Sequence, residues 1–351
     1  MSSRRFWATA TSAGAVRTGL GAALAATVAL GSYSYVSDTG EDPGAAGAGP
    51  TTSPVSPTEG DSLGGASIAP FTTADVGACL TWDIEGGGEI SNFEQTSCDE
   101  AHRFEVSARE DLDTYPSSEF GTDAPVPDLT RQAQLREELC HTPTIRYLDG
   151  RYDPVGRYSI APILPAPEAW AAGDRTMLCG LQSTDTDGLP VLTVGRTAEQ
   201  DQARVTQPGE CVFVDSASSL RVVDCAEDHQ LETTAIIDLK PVFPEGVPGV
   251  EEQDGHLAEV CTQAAMDYLG DEEALYQSTL QPYWGTIPQA SWIGGSHSVN
   301  CSLVHTGGDD GFSVLRGTAL DGREGITVNG ETPEAPPERE PLRVPPPEEQ
   351  P

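Results

Sequence analysis

The chain has 351 residues and a formal net charge of −36, from 55 acidic and 19 basic side chains. A surface this acidic repels phosphate backbones and anionic lipid headgroups, which argues against nucleic acid and such lipids as partners of the charged body. The length is enough for two or three domains. Arg4, Arg5 and Arg17 precede the first acidic residue, so a basic head is separated from an acidic body.

The basic head, residues 1–17, is followed by an uncharged stretch over residues 18–36. As a helix this stretch would span about 28 Å at 1.5 Å per residue, enough to cross the hydrocarbon core of a bilayer. Arginine on its N-terminal side alone predicts a cytoplasmic N-terminus and an exported body. A cleaved signal peptide is the alternative, because residues 21–30 form an apolar core followed by the small residue Gly31. We favour a retained transmembrane anchor, since the stretch is long for a signal core, and both interpretations predict export.

The remaining chain divides by composition and by an internal repeat. Residues 37–70 are rich in Gly, Pro, Ser, Thr and Ala, which predicts a flexible stalk. One cysteine-marked pattern then occurs twice, over residues 71–197 (repeat 1) and 205–320 (repeat 2), with residues 198–204 as a short polar connection. Residues 321–351 are rich in proline and acid, which predicts a disordered tail.

The two repeats agree in residue type and in spacing. In both, a Cys-to-His step of four, a Cys-to-Tyr step of seven and a Trp-to-Cys step of nine recur. The marked residues of repeat 1 are Cys79, Cys98, His102, Cys140, Tyr147, Trp170 and Cys179, and those of repeat 2 are Cys211, Cys225, His229, Cys261, Tyr268, Trp292 and Cys301. Two tandem domains of one fold follow from this agreement.

Eight cysteines in an exported chain predict disulfides rather than free thiols or zinc ligands. Four cysteines per repeat do not fix the connectivity. Pairing of sequence neighbours would join Cys79 with Cys98, Cys140 with Cys179, Cys211 with Cys225, and Cys261 with Cys301. Each such bond would stabilise its domain by about 3–4 kcal/mol on the chain-entropy account.

Apolar periodicity predicts one principal helix per repeat. In repeat 2 it covers His256–Leu269, with Gly270 as the stop signal. In repeat 1 it begins at Asp128 as a cap and runs to Cys140, and Pro143 is expected to end or kink it.

Short β-branched and apolar runs predict strands over 104–107, 220–223 and 231–239. Asp-Gly pairs at 187–188 and 310–311 predict hairpins near the end of each repeat. The predicted fold class is therefore α+β: two tandem, homologous, disulfide-linked domains, each with a small mixed or antiparallel sheet and one main helix, after one N-terminal transmembrane helix.

His102 and His229 are the best candidates for chemistry, because imidazole acts as a base or a metal ligand. Each stands in the motif Cys-x-Glu-x-His-x-[Phe/Leu]-Glu, two residues after Glu100 or Glu227. However, a disulfide cysteine cannot bind metal, and one histidine with two glutamates lacks the converging ligands of a zinc site. We expect a structural role for both histidines, with ligand contact as the alternative, and we predict no metal or cofactor.

Trp170 and Trp292 could present an aromatic platform to a sugar or peptide. Their fixed distance from Cys179 and Cys301 instead predicts that they pack on a disulfide in the core. The sequence contains no Gly-x-Ser-x-Gly, His-Glu-x-x-His or glycine-rich phosphate loop, and the serine and histidine of Gly294-Gly295-Ser296-His297 lack a third orienting group. We therefore expect no enzymatic activity.

Three repeated elements, Gly-x-Cys-[Leu/Val], Cys-x-Glu-x-His-x-[Phe/Leu]-Glu and Trp-x-x-Gly ending at Cys, resemble the septum formation family of actinobacterial envelope proteins. The resemblance covers residues 75–320. It implies an exported or membrane-anchored protein connected with cell division, and it supplies no catalytic residues.

The resulting hypothesis is a non-enzymatic, single-pass membrane protein whose extracytoplasmic body binds cell-envelope or division proteins. Contact with the membrane would be made by residues 18–36, and nucleic acid is not expected as a partner. The alternatives are an envelope hydrolase or metal-dependent enzyme that uses His102 or His229, a glycan- or peptide-binding module, and a secreted form after signal cleavage.

Overall fold

The computed structural model describes residues 73–84, 90–185, 189–216, 219–307 and 311–338. The predicted anchor at 18–36, the stalk at 37–70 and residues 339–351 of the predicted tail lie outside these ranges. Within the described ranges, no helix combines the length and the apolar character needed to cross a bilayer.

Repeat 1 is built on one antiparallel sheet. Its strands are β1 (Cys79–Ile84), β2 (Ile90–Thr96), β3 (Phe104–Asp111), β4 (Tyr158–Ile163) and β5 (Thr176–Thr184). They lie in the order β2-β1-β3-β5-β4, and the short strand β6 (Pro190–Val191) pairs with the end of β5. The β5–β6 pairing agrees with the predicted hairpin, whose turn at 186–188 lies outside the described residues.

Repeat 2 has the same sheet, strand for strand. Its strands are β7 (Cys211–Val214), β8 (Leu220–Val223), β9 (Leu231–Asp238), β10 (Gln281–Trp284) and β11 (Ser298–Val304). They lie in the order β8-β7-β9-β11-β10, again with every neighbour antiparallel. The α+β class is confirmed, and both sheets are antiparallel rather than mixed.

The helices lie between the third and fifth strands of each sheet. They are α1 (Leu129–Leu135), a π-helical turn (Arg136–Cys140), α2 (His141–Tyr147) and α3 (Pro167–Ala171) in repeat 1, and α4 (Val250–Leu269), α5 (Glu272–Ser278) and α6 (Gln289–Gly294) in repeat 2. Asp128 caps α1 as predicted, because its carboxylate accepts the backbone N–H of Arg131 at 2.8 Å. Gly270 ends α4 as predicted, with a φ of +114° that favours glycine.

The sequence predicts that Pro143 ends or kinks the helix of repeat 1, and an end at Pro143 is wrong. The helical path continues through it to Tyr147. A proline ring normally clashes with the carbonyl four residues earlier and leaves that carbonyl without a donor. Here a π-helical turn precedes the proline, with the N–H of His141 bonded to the carbonyl of Arg136 five residues back, and this wider turn accommodates the ring.

A disulfide joins the principal helix to the fifth strand in both cores. Cys140 is bonded to Cys179 in repeat 1, and Cys261 is bonded to Cys301 in repeat 2. All four of these cysteines are completely buried within the main hydrophobic clusters of their repeats. The helix is thereby fixed to the sheet on which it packs.

The expected disorder from residue 321 onward is wrong for residues 321–338. The short strands β12 (Leu315–Arg316) and β13 (Thr327–Val328) pair with each other, and Ile326 is buried in a cluster with Leu303. The hydroxyl of Tyr276 donates to the carbonyl of Pro337 at 2.6 Å. Proline and acid dominate the average composition here, which conceals a short apolar stretch that repeat 2 uses to complete its core.

Candidate functional site

The histidine of the repeated motif lies at the same structural position in both repeats. His102 and His229 lie two residues before the first residue of β3 and β9, and both are completely buried. Each pairs through its backbone with the segment that follows the last sheet strand, at Thr193 in repeat 1 and at Leu315 in repeat 2. These backbone bonds connect the motif histidine to the end of its repeat.

The imidazole rings are held in a defined orientation. Nδ1 of His102 lies 2.9 Å from the backbone carbonyl of Glu100, and Nδ1 of His229 lies 3.0 Å from that of Glu227. A carbonyl only accepts, so Nδ1 carries the proton of the bond in both rings. Nε2 of both rings is buried and has no hydrogen-bond partner in the part of the chain that the structure describes.

The glutamates that close the motif are buried and hydrogen-bonded to side chains and backbone of the same repeat. Glu105 in β3 accepts the hydroxyl of Tyr147 and the backbone N–H of Thr197, the latter at 2.7 Å. Glu232 in β9 accepts the hydroxyl of Tyr268 and the N–H of Ala319, both at 2.7 Å. In each repeat the carboxylate therefore joins the principal helix to the segment that follows the sheet.

Burial and the neighbouring carboxylate raise the pKa of both tyrosines. Burial, then the hydrogen bond and charge of Glu105, raise the pKa of Tyr147 to about 12. The same causes, with Glu232 as the partner, raise the pKa of Tyr268. Both hydroxyls thus remain protonated donors across the physiological range.

The acids expected beside the histidines, Glu100 and Glu227, have exposed side chains and contact the imidazoles only through their backbone carbonyls. The carboxylates near the rings are those of Glu105 and Glu232, which sequence reasoning did not select. A signal for them exists, because they close the same motif inside predicted strands. An acid at a matching position in a buried strand indicates a carboxylate with dedicated partners.

Three potential metal ligands converge in each repeat. Ligand atoms of Cys79, His102 and Glu105 all lie within 4.8 Å of one another, and the matching set in repeat 2 is Cys211, His229 and Glu232. Cys79 is bonded to Cys98, and Cys211 is bonded to Cys225. The disulfide prediction is confirmed, and the bonds join sequence neighbours. In this oxidised state neither cysteine offers a thiolate, so an imidazole and a carboxylate are the available donors.

The two tryptophans lie in the cores beside the second disulfide of each repeat. Trp170 is 2% exposed and Trp292 is 4% exposed. The indole N–H of Trp170 donates to the carbonyl of Ala124 at 2.7 Å. Neither ring presents a face on which a sugar or peptide could stack.

The Gly-Gly-Ser-His segment lies at the contact between the repeats. Ser296 donates to the carboxylate of Asp153 at 2.6 Å, and Ser291 donates to the same carboxylate at 3.2 Å. Asp153 belongs to repeat 1 and is 2% exposed. A Cβ on Gly294 would lie 2.8 Å from the carbonyl oxygen of Tyr152, so the close approach requires glycine. These residues dock repeat 2 on repeat 1.

The connection 198–204 is part of the same contact. The buried side chain of Gln202 donates to the carbonyl of Arg151 at 2.8 Å and accepts the N–H of Asp153 at 3.0 Å. The carboxylate of Asp201 accepts the backbone N–H of His297 at 3.0 Å. The polar composition of the connection thus reflects hydrogen bonds to both repeats.

Comparison with known proteins gives a family and two relatives. A family model described as septum formation matches residues 76–301. Two proteins of Mycobacterium tuberculosis, from strains CDC 1551 and H37Rv, are 35% identical over 289 residues, which is 80% of this chain, and each is named an uncharacterized membrane protein. The chain spans 63% of the length of these relatives. No solved structure matches.

Proposed function

Because this chain belongs to the septum formation family, we propose that it is a membrane-anchored, non-enzymatic scaffold that binds envelope or division proteins outside the cytoplasm. Support for the membrane comes from the names of the two relatives and from the uncharged stretch at residues 18–36. Support for export comes from the four disulfides, which are typical of oxidising compartments.

The observation that carries the proposal is the position of the repeated motif inside the fold. His102 and Glu105, with their counterparts in repeat 2, have the side-chain types that an enzyme would use. All four are at most 1% exposed. The glutamates accept bonds from the helix tyrosines and from the backbone. The motif that both repeats share therefore builds the domain, and this favours a scaffold over an envelope hydrolase.

The contact between the repeats supports one extended binding body rather than two independent modules. A buried carboxylate, two serine hydroxyls and a bound connection fix the repeats against each other. Exposed surfaces of both repeats would then face a partner in a fixed arrangement, which reduces the entropy lost on binding.

A test is to deplete the protein in dividing cells that carry a tagged copy. The proposal predicts enrichment of the tag at division sites and abnormal septa on depletion. A uniform envelope distribution together with normal septa would contradict it. Protease added to cells with a permeable outer layer should cleave the body if it lies outside the cytoplasmic membrane.

Histidine variants separate the scaffold from the metal-dependent or hydrolytic alternative. The chain with both His102→Ala and His229→Ala is compared with His141→Ala, which changes an exposed histidine of repeat 1. A scaffold predicts normal septa in every variant that retains its disulfides and fold. An enzyme predicts abnormal septa in the double variant despite intact folding.

A further inference from the structure

We propose that the first disulfide of each repeat covers a latent metal site that forms when this disulfide is reduced. In repeat 1 the ligands of a zinc-like divalent ion would be the thiolates of Cys79 and Cys98, the imidazole of His102 and the carboxylate of Glu105. The inference goes beyond the scaffold function and does not depend on it.

The donor atoms are already together in the oxidised protein. Sγ of Cys79 lies with ligand atoms of His102 and Glu105 inside a 4.8 Å cluster. Sγ of Cys98 is bonded to it at 2.02 Å, so reduction releases a second sulfur at the same place. Two sulfurs, one imidazole nitrogen and one carboxylate oxygen are all ligands that tetrahedral Zn²⁺ accepts.

The histidines have the hydrogen bonding of metal-bound imidazoles. A ligating histidine usually donates its other ring N–H to a carbonyl or carboxylate. His102 and His229 donate Nδ1–H to backbone carbonyls, and within the described chain their buried Nε2 atoms have no partner. A buried acceptor without a partner is destabilising, because it has lost its bond to water without gaining another. The same free acceptor stands at the same position in both repeats, and a metal ion is the kind of partner that such a nitrogen accepts.

The glutamates retain room for a metal. A carboxylate offers about four lone-pair positions. Glu232 accepts bonds from Tyr268, Thr318 and Ala319, and Glu105 accepts bonds from Tyr147 and Thr197. These bonds orient the carboxylates and leave a position for an ion in each repeat.

Solvent exposure makes the first disulfide the one that a reductant reaches. Cys98 is 9% exposed and Cys225 is half-buried, whereas the four cysteines of the core disulfides are completely buried. A dithiol reductant supplies two electrons: the S–S bond breaks, two protein thiols form, and the dithiol becomes its own disulfide. Metal binding then releases the two thiol protons to solvent.

The test uses the full chain under native conditions and Co²⁺ alone as the probe. A phosphine reductant is added, free thiols are counted, and near-ultraviolet circular dichroism checks the fold. We expect the first disulfide of each repeat to open, and Co²⁺ to give tetrahedral and thiolate charge-transfer absorption for one ion per repeat. Zn²⁺ should displace the cobalt spectrum, and the unreduced chain should give none. Reduced, folded chain without these bands would overturn the proposal.

Variants test the assigned ligands. His102→Gln with His229→Gln should weaken Zn²⁺ binding by about 10-fold or more, while the exposed control His141→Gln should leave it unchanged. Equal affinity in all three proteins would show that the histidines are not ligands. If the double variant does not fold, Cys98→Ser with Cys225→Ser serves instead, because it opens the same disulfides and removes one thiolate per site. An unchanged cobalt spectrum there would also overturn the proposal.

Discussion

The two repeats share a sheet order and a buried Glu–Tyr centre but differ beside the core tryptophan. In repeat 1, Arg175 lies five residues after Trp170, with its guanidinium 4.2 Å from the centre of that ring. It donates to several backbone carbonyls, including that of Phe120 at 2.9 Å. In repeat 2 the same step leads from Trp292 to His297, whose ring meets the indole edge-on at 4.9 Å.

This difference separates the residues that build a domain from those that join two domains. In repeat 1 the turn at 171–173 is exposed, and Asp174 stands where repeat 2 has Ser296. Ser296 donates to Asp153, whereas a carboxylate at that position would repel it. The residues that the repeats share thus specify the fold of each domain. The residues that differ determine which surface of each repeat forms the contact between them.

The largest expected effect comes from the shared carboxylates. Glu105→Gln and Glu232→Gln should each lower the free energy of unfolding by about 3 kcal/mol, because an amide NH₂ replaces one acceptor facing buried donors. Guanidinium unfolding without reductant measures the change. The exposed controls Glu100→Gln and Glu227→Gln should stay within about 0.5 kcal/mol. If only one of the two variants loses stability, the Glu105–Tyr147 pair and the Glu232–Tyr268 pair are not equivalent.

Arg175→Lys should cost about 2 kcal/mol, because an ammonium cannot reproduce the planar set of donors and the stacking on Trp170. His297→Gln should cost about 1 kcal/mol, since His297 makes fewer internal bonds. The same unfolding measurement ranks the two. If the lysine variant proves as stable as the parent, the hydrogen bonds from the Arg175 guanidinium to the surrounding carbonyls do not contribute to the free energy of unfolding.

Spacing reveals the parts of this molecule that both copies repeat. It identifies the cysteines, the motif histidines and the core tryptophans, because identical steps recur in residues whose chemistry limits their roles. Burial of His102 and Trp170 then follows from their neighbours in the pattern. Periodicity finds the end of α4 at Gly270, but it misses the start at Val250, because charged residues fill the first turns.

Features present in one copy give no such signal. Asp153 and Gln202 are polar residues in segments that look like loops, and their burial depends on a contact between repeats. The continuation of the helix through Pro143 depends on a π-helical turn, and no residue type in the sequence predicts such a turn. Ile326 is buried, but the proline- and acid-rich composition of residues 321–351 gives no sign of it. Each of these depends on tertiary packing rather than on local preference.

Asp153→Asn tests the contact between repeats. Loss of the charge should weaken the bonds from Ser291 and Ser296 by about 1.5 kcal/mol in total. The connection at 198–204 should then be cleaved about 10-fold faster by a protease, because local opening becomes more frequent. The control is Asp149→Asn, which changes an exposed aspartate at a positive φ that asparagine also adopts. Equal cleavage of both variants would mean that Asp153 does not hold the repeats together.

The smallest effect concerns the tyrosines and pH. The folded pKa of Tyr147 is raised to about 12, above the value of about 10 for an unfolded tyrosine. The folded state therefore binds more protons between these values, so the stabilisation is complete below pH 10 and is lost as pH rises toward 12. After allowance for solvent screening the change is about 1 kcal/mol. Tyr147→Phe should flatten this part of the stability profile.

The same titration sharpens the comparison between the repeats. Arg196 lies 3.7 Å from the carboxylate of Glu105, and its charge lowers the pKa of Tyr147. In repeat 2 the hydroxyl of Thr318 donates to Glu232, so the partner there is neutral. Arg196→Gln should therefore raise the pKa of Tyr147 toward that of Tyr268, as followed by phenolate absorbance with single Tyr→Phe variants for assignment. If the pKa of Tyr147 does not rise, the guanidinium is too well solvated to act on the buried carboxylate, and its charge does not account for a difference between the two tyrosines.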